Sequence, residues 1–254
     1  MFIDTHCHLT DEYDGGVDAV ISRATTAGVG AMICATAEGI DIKPALKIAE
    51  NNDNIFVTAG IHPDHSDLNP YDFLTDDVLN NPLVIGVGEI GLDYHFGTQT
   101  RNAQIELFEK QIEIADKHNL PIEIHTRDAE EDTSAILAAH KNAHGVMHCF
   151  TSSWDLARFA LDRGFYFSAS GILTFKNAES IRETFAKIPN DKIVIETDSP
   201  YCAPVPHRGK VCEPAFVIET AKVLAQIKNL QIDELEVILC ENTKRLYPKC
   251  HVKL

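Results

Sequence analysis

Long apolar runs are absent from this sequence, and nothing in it approaches the roughly 20 consecutive apolar residues a membrane-spanning helix needs. Basic residues are scarce: 22 Lys and Arg face 38 Asp and Glu, a formal net charge of −16. A protein that wraps nucleic acid carries a broad basic face, so that class is excluded, and any nucleic-acid contact has to be local. No Cys-x-x-Cys pair occurs. The cysteines are Cys7, Cys34, Cys149, Cys202, Cys212, Cys240 and Cys250, an odd and scattered set that reads as reduced thiols, most of them small core residues. The opening Met-Phe-Ile-Asp-Thr-His has no basic region followed by an apolar one, so no signal peptide is expected and the expected location is cytoplasmic. Low-complexity stretches, long linkers and repeats of 20–50 residues are also missing.

What is present is an alternation. Short β-rich runs at 2–6, 30–35, 55–60, 83–89, 121–125, 145–148, 165–168 and 192–197 are mostly apolar, as strands covered on both faces should be. Longer segments between them carry helical spacing: Ile105, Phe108, Ile112 and Ala115; Ile181, Phe185 and Ile188; Phe216, Val223, Leu224 and Ile227. Gly28 and Asn119 read as helix stops. Eight strands alternating with helices predict an α/β fold of the (β/α)₈ TIM-barrel type, one domain over residues 1–254; an open doubly wound sheet is the other arrangement with this periodicity.

Chemistry concentrates where strands end, which in a barrel is the C-terminal mouth. The first run ends in Asp4-Thr5-His6-Cys7-His8. The fourth ends in Gly88-Glu89-Ile90-Gly91-Leu92-Asp93-Tyr94, the fifth in Glu123-Ile124-His125-Thr126-Arg127-Asp128, the sixth in Met147-His148-Cys149-Phe150, the eighth in Glu196-Thr197-Asp198-Ser199-Pro200. Side chains alternate along a strand, so His6 and His8 share the interior face and Cys7 points toward the helices. His-x-His alone is a weak signal. It gains weight because Glu89, His125, His148 and Asp198 occupy equivalent strand ends. A carboxylate closing so apolar a strand as Glu89 is costly to bury unpaired, and bridging two cations removes that cost. Asp198 can both ligate a cation and accept a proton from a water. The candidate ligands are therefore His6, His8, Glu89, His125, His148 and Asp198, with Glu89 and Asp198 as catalytic groups. The imidazole-rich set suits zinc or manganese at least as well as magnesium. His62 before Pro63, Arg127, and Arg208 and Lys210 in the loop after the eighth run are candidate substrate-binding residues, the last two as a phosphate clamp beside Gly209.

Taken in order, these motifs, with Gly60-Ile61-His62-Pro63 and Asn242-Thr243-Lys244-Arg245-Leu246, resemble the TatD-like metal-dependent deoxyribonucleases over almost the whole chain. The resemblance implies a TIM barrel of the amidohydrolase-like group with a binuclear centre. His6, His8, Glu89 and Asp198 would hold one divalent cation, and Glu89, His125 and His148 the other. It also implies DNA as substrate, cut 3′→5′ with a preference for single strands. A monomer with no membrane partner is the expected state. The sequence departs from the family pattern at Asp64, Ser152 and Cys212; none is a ligand, and Asp64 and Cys212 bear on substrate positioning. A hydrolase of small amides, lactones or phosphoesters on the same scaffold, and a non-catalytic metal-binding protein, are the competing functions.

Overall fold

The computed structural model describes residues 1–10 and 12–251. Its eight strands are β1 (Phe2–Cys7), β2 (Val29–Ala35), β3 (Ile55–Thr58), β4 (Val84–Asp93), β5 (Ile122–Arg127), β6 (Gly145–Met147), β7 (Tyr166–Ala169) and β8 (Ile193–Ile195). They lie in sequence order in one parallel sheet. β8 returns to β1 through Cys7 and Ser199, with the His8 N–H donating to Ser199 O (2.7 Å) and the Asp198 N–H to His6 O (3.0 Å). The buried Asp4 carboxylate fastens this seam by accepting from Thr197 N–H (2.9 Å) and Thr197 Oγ1 (2.6 Å). This is the TIM barrel the alternation predicts, and the open sheet is excluded.

The outer layer comprises α1 (Gly16–Thr26), α2 (Ile42–Glu50), α3 (Asp76–Leu79), α4 (Arg101–His118), α5 (Glu130–Ala139), α6 (Trp154–Leu161), α7 (Glu179–Lys187), α8 (Val217–Lys228) and α9 (Ile232–Leu246). Caps set several of their bounds. The Ser153 side chain accepts from Leu156 N–H to start α6. Asn119 and Asn229 close α4 and α8 in the left-handed conformation that asparagine tolerates. The β3–β4 crossover holds no long helix, only short 3₁₀ turns and the one-turn α3. Between strands and helices runs the main core, including Phe108, Phe165, Phe167 and Phe185, each worth about 1.5–3 kcal/mol of burial.

Inside the barrel the floor is apolar. Ile3, Ile33, Phe56, Ile85, Val146 and Val194, from the first halves or middles of their strands, pack against Cys240 and Leu246 of α9 and the following Tyr247 and Cys250. The Asn242 side chain donates to Asn190 O and Ile193 O (2.7 Å each), fixing α9 under the barrel. With the floor filled, polar inward residues remain only above it. Ile3 and His6 both face inward although three residues apart, because the β1–β2 register shifts between Asp4 and Cys7. Cys7 is buried in the outer core, as alternation from His6 requires.

Candidate metal centre

The mouth opens on a cavity of ≈ 500 Å³ whose wall includes His8, His62, Glu89, Asp93, His125, Arg127, His148 and Asp198. His6 lies fully buried at its base. A neighbouring cavity of ≈ 510 Å³ runs along α1 and α2, lined by residues such as Val17, Pro44, Ala45 and Ile48; of the six candidate ligands it reaches only His8.

All six expected ligand residues converge. His6 Nε2 and His8 Nε2 are 3.2 Å apart. Each lies near Asp198 Oδ1, at 3.7 and 3.8 Å, and near Glu89 Oε2, at 3.6 and 3.8 Å. The other Glu89 oxygen, Oε1, is 2.8 Å from His125 Nδ1 and 3.0 Å from His148 Nε2. One carboxylate thus turns its two oxygens toward two separate histidine groups. Ligands 2.0–2.1 Å from a tetrahedral ion stand about 3.3 Å apart, so the first group is close to cation-ready spacing.

Glu89 was expected to end β4, but the strand continues four residues beyond it. Ladder pairing with β5 persists to Asp93 and Arg127, while a register irregularity between Val87 and Ile90 turns Glu89 inward. Four non-glycine residues just past β5, β6 and β8 have positive φ: Asp128 (54°), Cys149 (41°), Asp198 (56°) and Cys202 (52°). Sparsely populated backbone of this kind concentrates at sites that require particular side-chain placement.

A second ring of carboxylates stands behind the imidazoles. Glu123 Oε1 lies 3.0 Å from His6 Nδ1, and Glu196 Oε1 lies 3.0 Å from His148 Nδ1. A carboxylate this close favours the ring proton on Nδ1 and leaves Nε2 facing the cavity, the arrangement that supports a metal-ligating histidine. Thr58 Oγ1 anchors Glu123 (2.6 Å), and the Cys149 N–H anchors Glu196 (2.7 Å). Asp93 Oδ2 faces His125 Nε2 at 3.1 Å. The sequence reading missed all three. Glu123 and Glu196 sit two residues before His125 and Asp198, the same strand period that sets His6 and His8 on one face.

The electrostatics agree with a site built for positive charge. Burial, with His148 nearby, lowers His6 to about 3, so it is neutral. Burial opposes ionisation of Glu89, yet His148, His62 and His125 hold it well below the usual carboxylate range. Burial also opposes charge on His148, but Glu196 and Glu89 hold it well above its ordinary value. His125 behaves likewise: burial is outweighed by Asp93 and Glu89, and it rises to about 9. Anionic Glu89 among imidazoles, each with a ring nitrogen aimed inward, is a donor set that fits divalent cations.

Of the expected substrate-binding residues, His62 and Arg127 line the cavity. His62 Nδ1 accepts from Asp64 N–H (3.2 Å), and burial lowers the ring to about 4; it is neutral and presents an Nε2–H donor. Arg208 and Lys210 do not line it. Arg208 lies over the Phe175 ring (3.8 Å to the centroid) and donates to Ala203 O, which fixes it outside the cavity wall. Cys212, one of the departures from the family pattern, is buried and also outside that wall, whereas Asp64 is on it. Two rim residues were not foreseen: Phe96, 83% exposed, and Tyr201, 62% exposed. The Arg127 guanidinium is 5.8 Å from the Phe96 ring, and Tyr201 is 6.1 Å from the His8 ring.

Comparison with known proteins agrees with this construction. The chain is 39% identical over 252 residues to the uncharacterized metal-dependent hydrolase YabD of Bacillus subtilis (strain 168), covering 97% of this chain and 99% of that protein. It is 37% identical over 256 residues to the uncharacterized metal-dependent hydrolase YcfH of Escherichia coli (strain K12), covering 97% and 96%. The crystal structure of YJJV, a TatD homolog from Escherichia coli K12, superposes with a TM-score of 0.90 at 28% identity, covering 97% and 98%. Residues 3–248 match the profile described as TatD related DNase, and with that match the chain belongs to the TatD-related DNase family.

Proposed function

We propose that this chain is a metal-dependent hydrolase that cleaves phosphodiester bonds of DNA from single-stranded 3′ ends, using two divalent cations. His6, His8, Glu89 and Asp198 would hold one, and Glu89, His125 and His148 the other. The observation that carries the reading is the splayed Glu89 carboxylate, each oxygen facing its own histidine group, beneath a rim of one arginine and two exposed aromatic rings. Bound divalent cations supply acidity to a water and charge to offset the developing negative charge on phosphate and leaving oxygens.

The remaining work falls to side chains. Asp198, through Oδ1, takes the proton of the attacking water. The neutral His62 Nε2–H and the half-exposed Arg127 guanidinium donate to non-bridging phosphate oxygens. Phe96 and Tyr201 offer π-faces to unpaired bases, a sequence-tolerant contact worth about 1–3 kcal/mol per base. A ≈ 500 Å³ cavity is sized for a small ligand or a terminal nucleotide, not a duplex. The 3′ polarity rests on the family resemblance.

The test is a 5′-labelled single-stranded oligonucleotide, with its 3′ end free or blocked, incubated with protein reloaded with magnesium, manganese or zinc. A ladder of shortened products from the free end alone is expected. A second reading, a hydrolase of uncharged esters or lactones, is favoured by the acidity of the wall: among the described residues, seven carboxylates (Glu12, Glu38, Asp41, Asp64, Glu89, Asp93, Asp198) against the single Arg127. Turnover of such esters with no oligonucleotide cleavage would select it.

A further inference from the structure

Beside the histidine cluster lie two thiols the proposed chemistry does not use, on the far side of Asp198. Cys149 follows β6, while Asp198 and Cys202 follow β8. All three have positive φ, and their Sγ and carboxylate oxygen atoms lie within 4.8 Å of one another. Cys202 Sγ donates to Asp198 Oδ2 at 3.3 Å, and Cys149 Sγ to Ser170 Oγ at 3.1 Å. Asp198 is therefore a shared wall: Oδ1 faces His6 and His8, and Oδ2 faces the thiols. Two thiolates bound to one tetrahedral zinc stand about 3.8 Å apart, so the group closes around a cation with small side-chain movement. Soft thiolate ligands select soft cations over magnesium or calcium.

We propose that Cys149, Cys202 and Asp198 Oδ2 form an adjoining site for one soft divalent cation, zinc or cadmium in class, whose occupation inhibits the enzyme by drawing negative charge from the Asp198 carboxylate that accepts the proton. Binding forms two cation–sulfur bonds and one cation–oxygen bond. Two S–H bonds break, two protons pass to water, and no electrons move. The five other cysteines are buried, so these two, each partly exposed, are the thiols a cation reaches. Cation binding stands independently of the proposed function; the inhibition rests on the role given there to Asp198.

The test titrates full-length, magnesium-loaded protein with cadmium in thiol-free buffer. It records the ultraviolet thiolate-to-cadmium charge-transfer band, proton release and oligonucleotide turnover. The band should saturate at one cadmium per chain with two protons released. Cys149→Ser and Cys202→Ser should each weaken it, and the double variant should lose it. Cadmium on histidines and carboxylates gives no such band, so ligation at the central cluster cannot imitate the result. The double variant should keep its turnover at a cadmium concentration that halves the parent's. No band in the parent, an equal band in the double variant, or a thiol count showing Cys149 and Cys202 joined as a disulfide would overturn the site. A band with undiminished turnover would overturn the inhibition. An inactive parent that still shows the band would count against the proposed function and not against the site.

Discussion

Replacing Glu123 by glutamine isolates what a carboxylate behind a histidine contributes to cation binding. Glu123 is fully buried, with Oε1 3.0 Å from His6 Nδ1 and Oε2 accepting from Thr58 Oγ1 at 2.6 Å. The amide has one good arrangement: its oxygen faces His6 and its NH₂ faces the Thr58 hydroxyl, which turns to accept. The Thr58 hydroxyl gives up the acceptor it had, and the larger loss is the negative charge that makes the His6 Nε2 lone pair a stronger donor. Losing such a supporting group costs 10–100-fold in metal affinity. With the close approach to His6 Nδ1 retained, the expected loss for Glu123→Gln is about tenfold, ~1.4 kcal/mol. Glu123→Ala also removes the acceptor and should approach about a hundredfold. Burial pushes Glu123 up to about 7, so the difference should be full at pH 8 and smaller at pH 6. The assay is turnover against cation concentration. Half-activation should move about tenfold while kcat at saturating cation is kept. An unmoved midpoint, or a kcat deficit that excess cation does not restore, would refute the supporting role.

Three further outcomes follow from the same geometry. With Arg127 the single arginine on the cavity wall, log affinity for single-stranded DNA should fall against log salt with a slope of about −0.7. Arg127→Ala should flatten that slope and Arg208→Ala leave it alone; a parent slope steeper than about −2 would reveal basic contacts outside the cavity. Phe96→Ala and Tyr201→Ala should each weaken oligonucleotide binding by about 1–3 kcal/mol without changing turnover of a small phosphodiester, and equal losses on both substrates would remove the stacking role. In chelated protein, Asp93 and Glu89 raise His125 to about 9 from an ordinary 6.5 despite burial, so its pairing stabilises fully below pH 6.5 and fades as pH approaches 9. The melting temperature in chelator should therefore fall between pH 7 and pH 9, and a rise across that window would contradict the pairing.

The barrel was legible because its strands are apolar on both faces and its ligand-type residues recur at strand ends. The position of Glu89 inside β4 was not, because continuation to Asp93 depends on pairing with β5, which periodicity does not report. Nor was the thin β3–β4 crossover, whose Pro63 and Pro70 mark turns without fixing what packs there. Arg208 and Lys210 carried the right charge near the mouth, but whether a loop cation enters a cavity is decided by packing. The Phe175 ring takes the Arg208 guanidinium elsewhere. Phe96 and Tyr201 were missed for the converse reason: in sequence an aromatic reads as core, and exposure is a property of the folded surface. Glu123 and Glu196 were within reach of the two-residue strand period.

The most direct test of the account is the cation content and turnover of the Glu89→Gln variant beside the parent, both reloaded with the same divalent cation. The amide keeps the shape of the side chain and removes the charge that faces both histidine groups. The parent should carry two cations per chain at the central cluster. Glu89→Gln should carry one or none, with turnover reduced roughly a thousandfold, ~4 kcal/mol of barrier. Two tightly held cations and near-parent turnover in Glu89→Gln would show that this carboxylate does not bridge them.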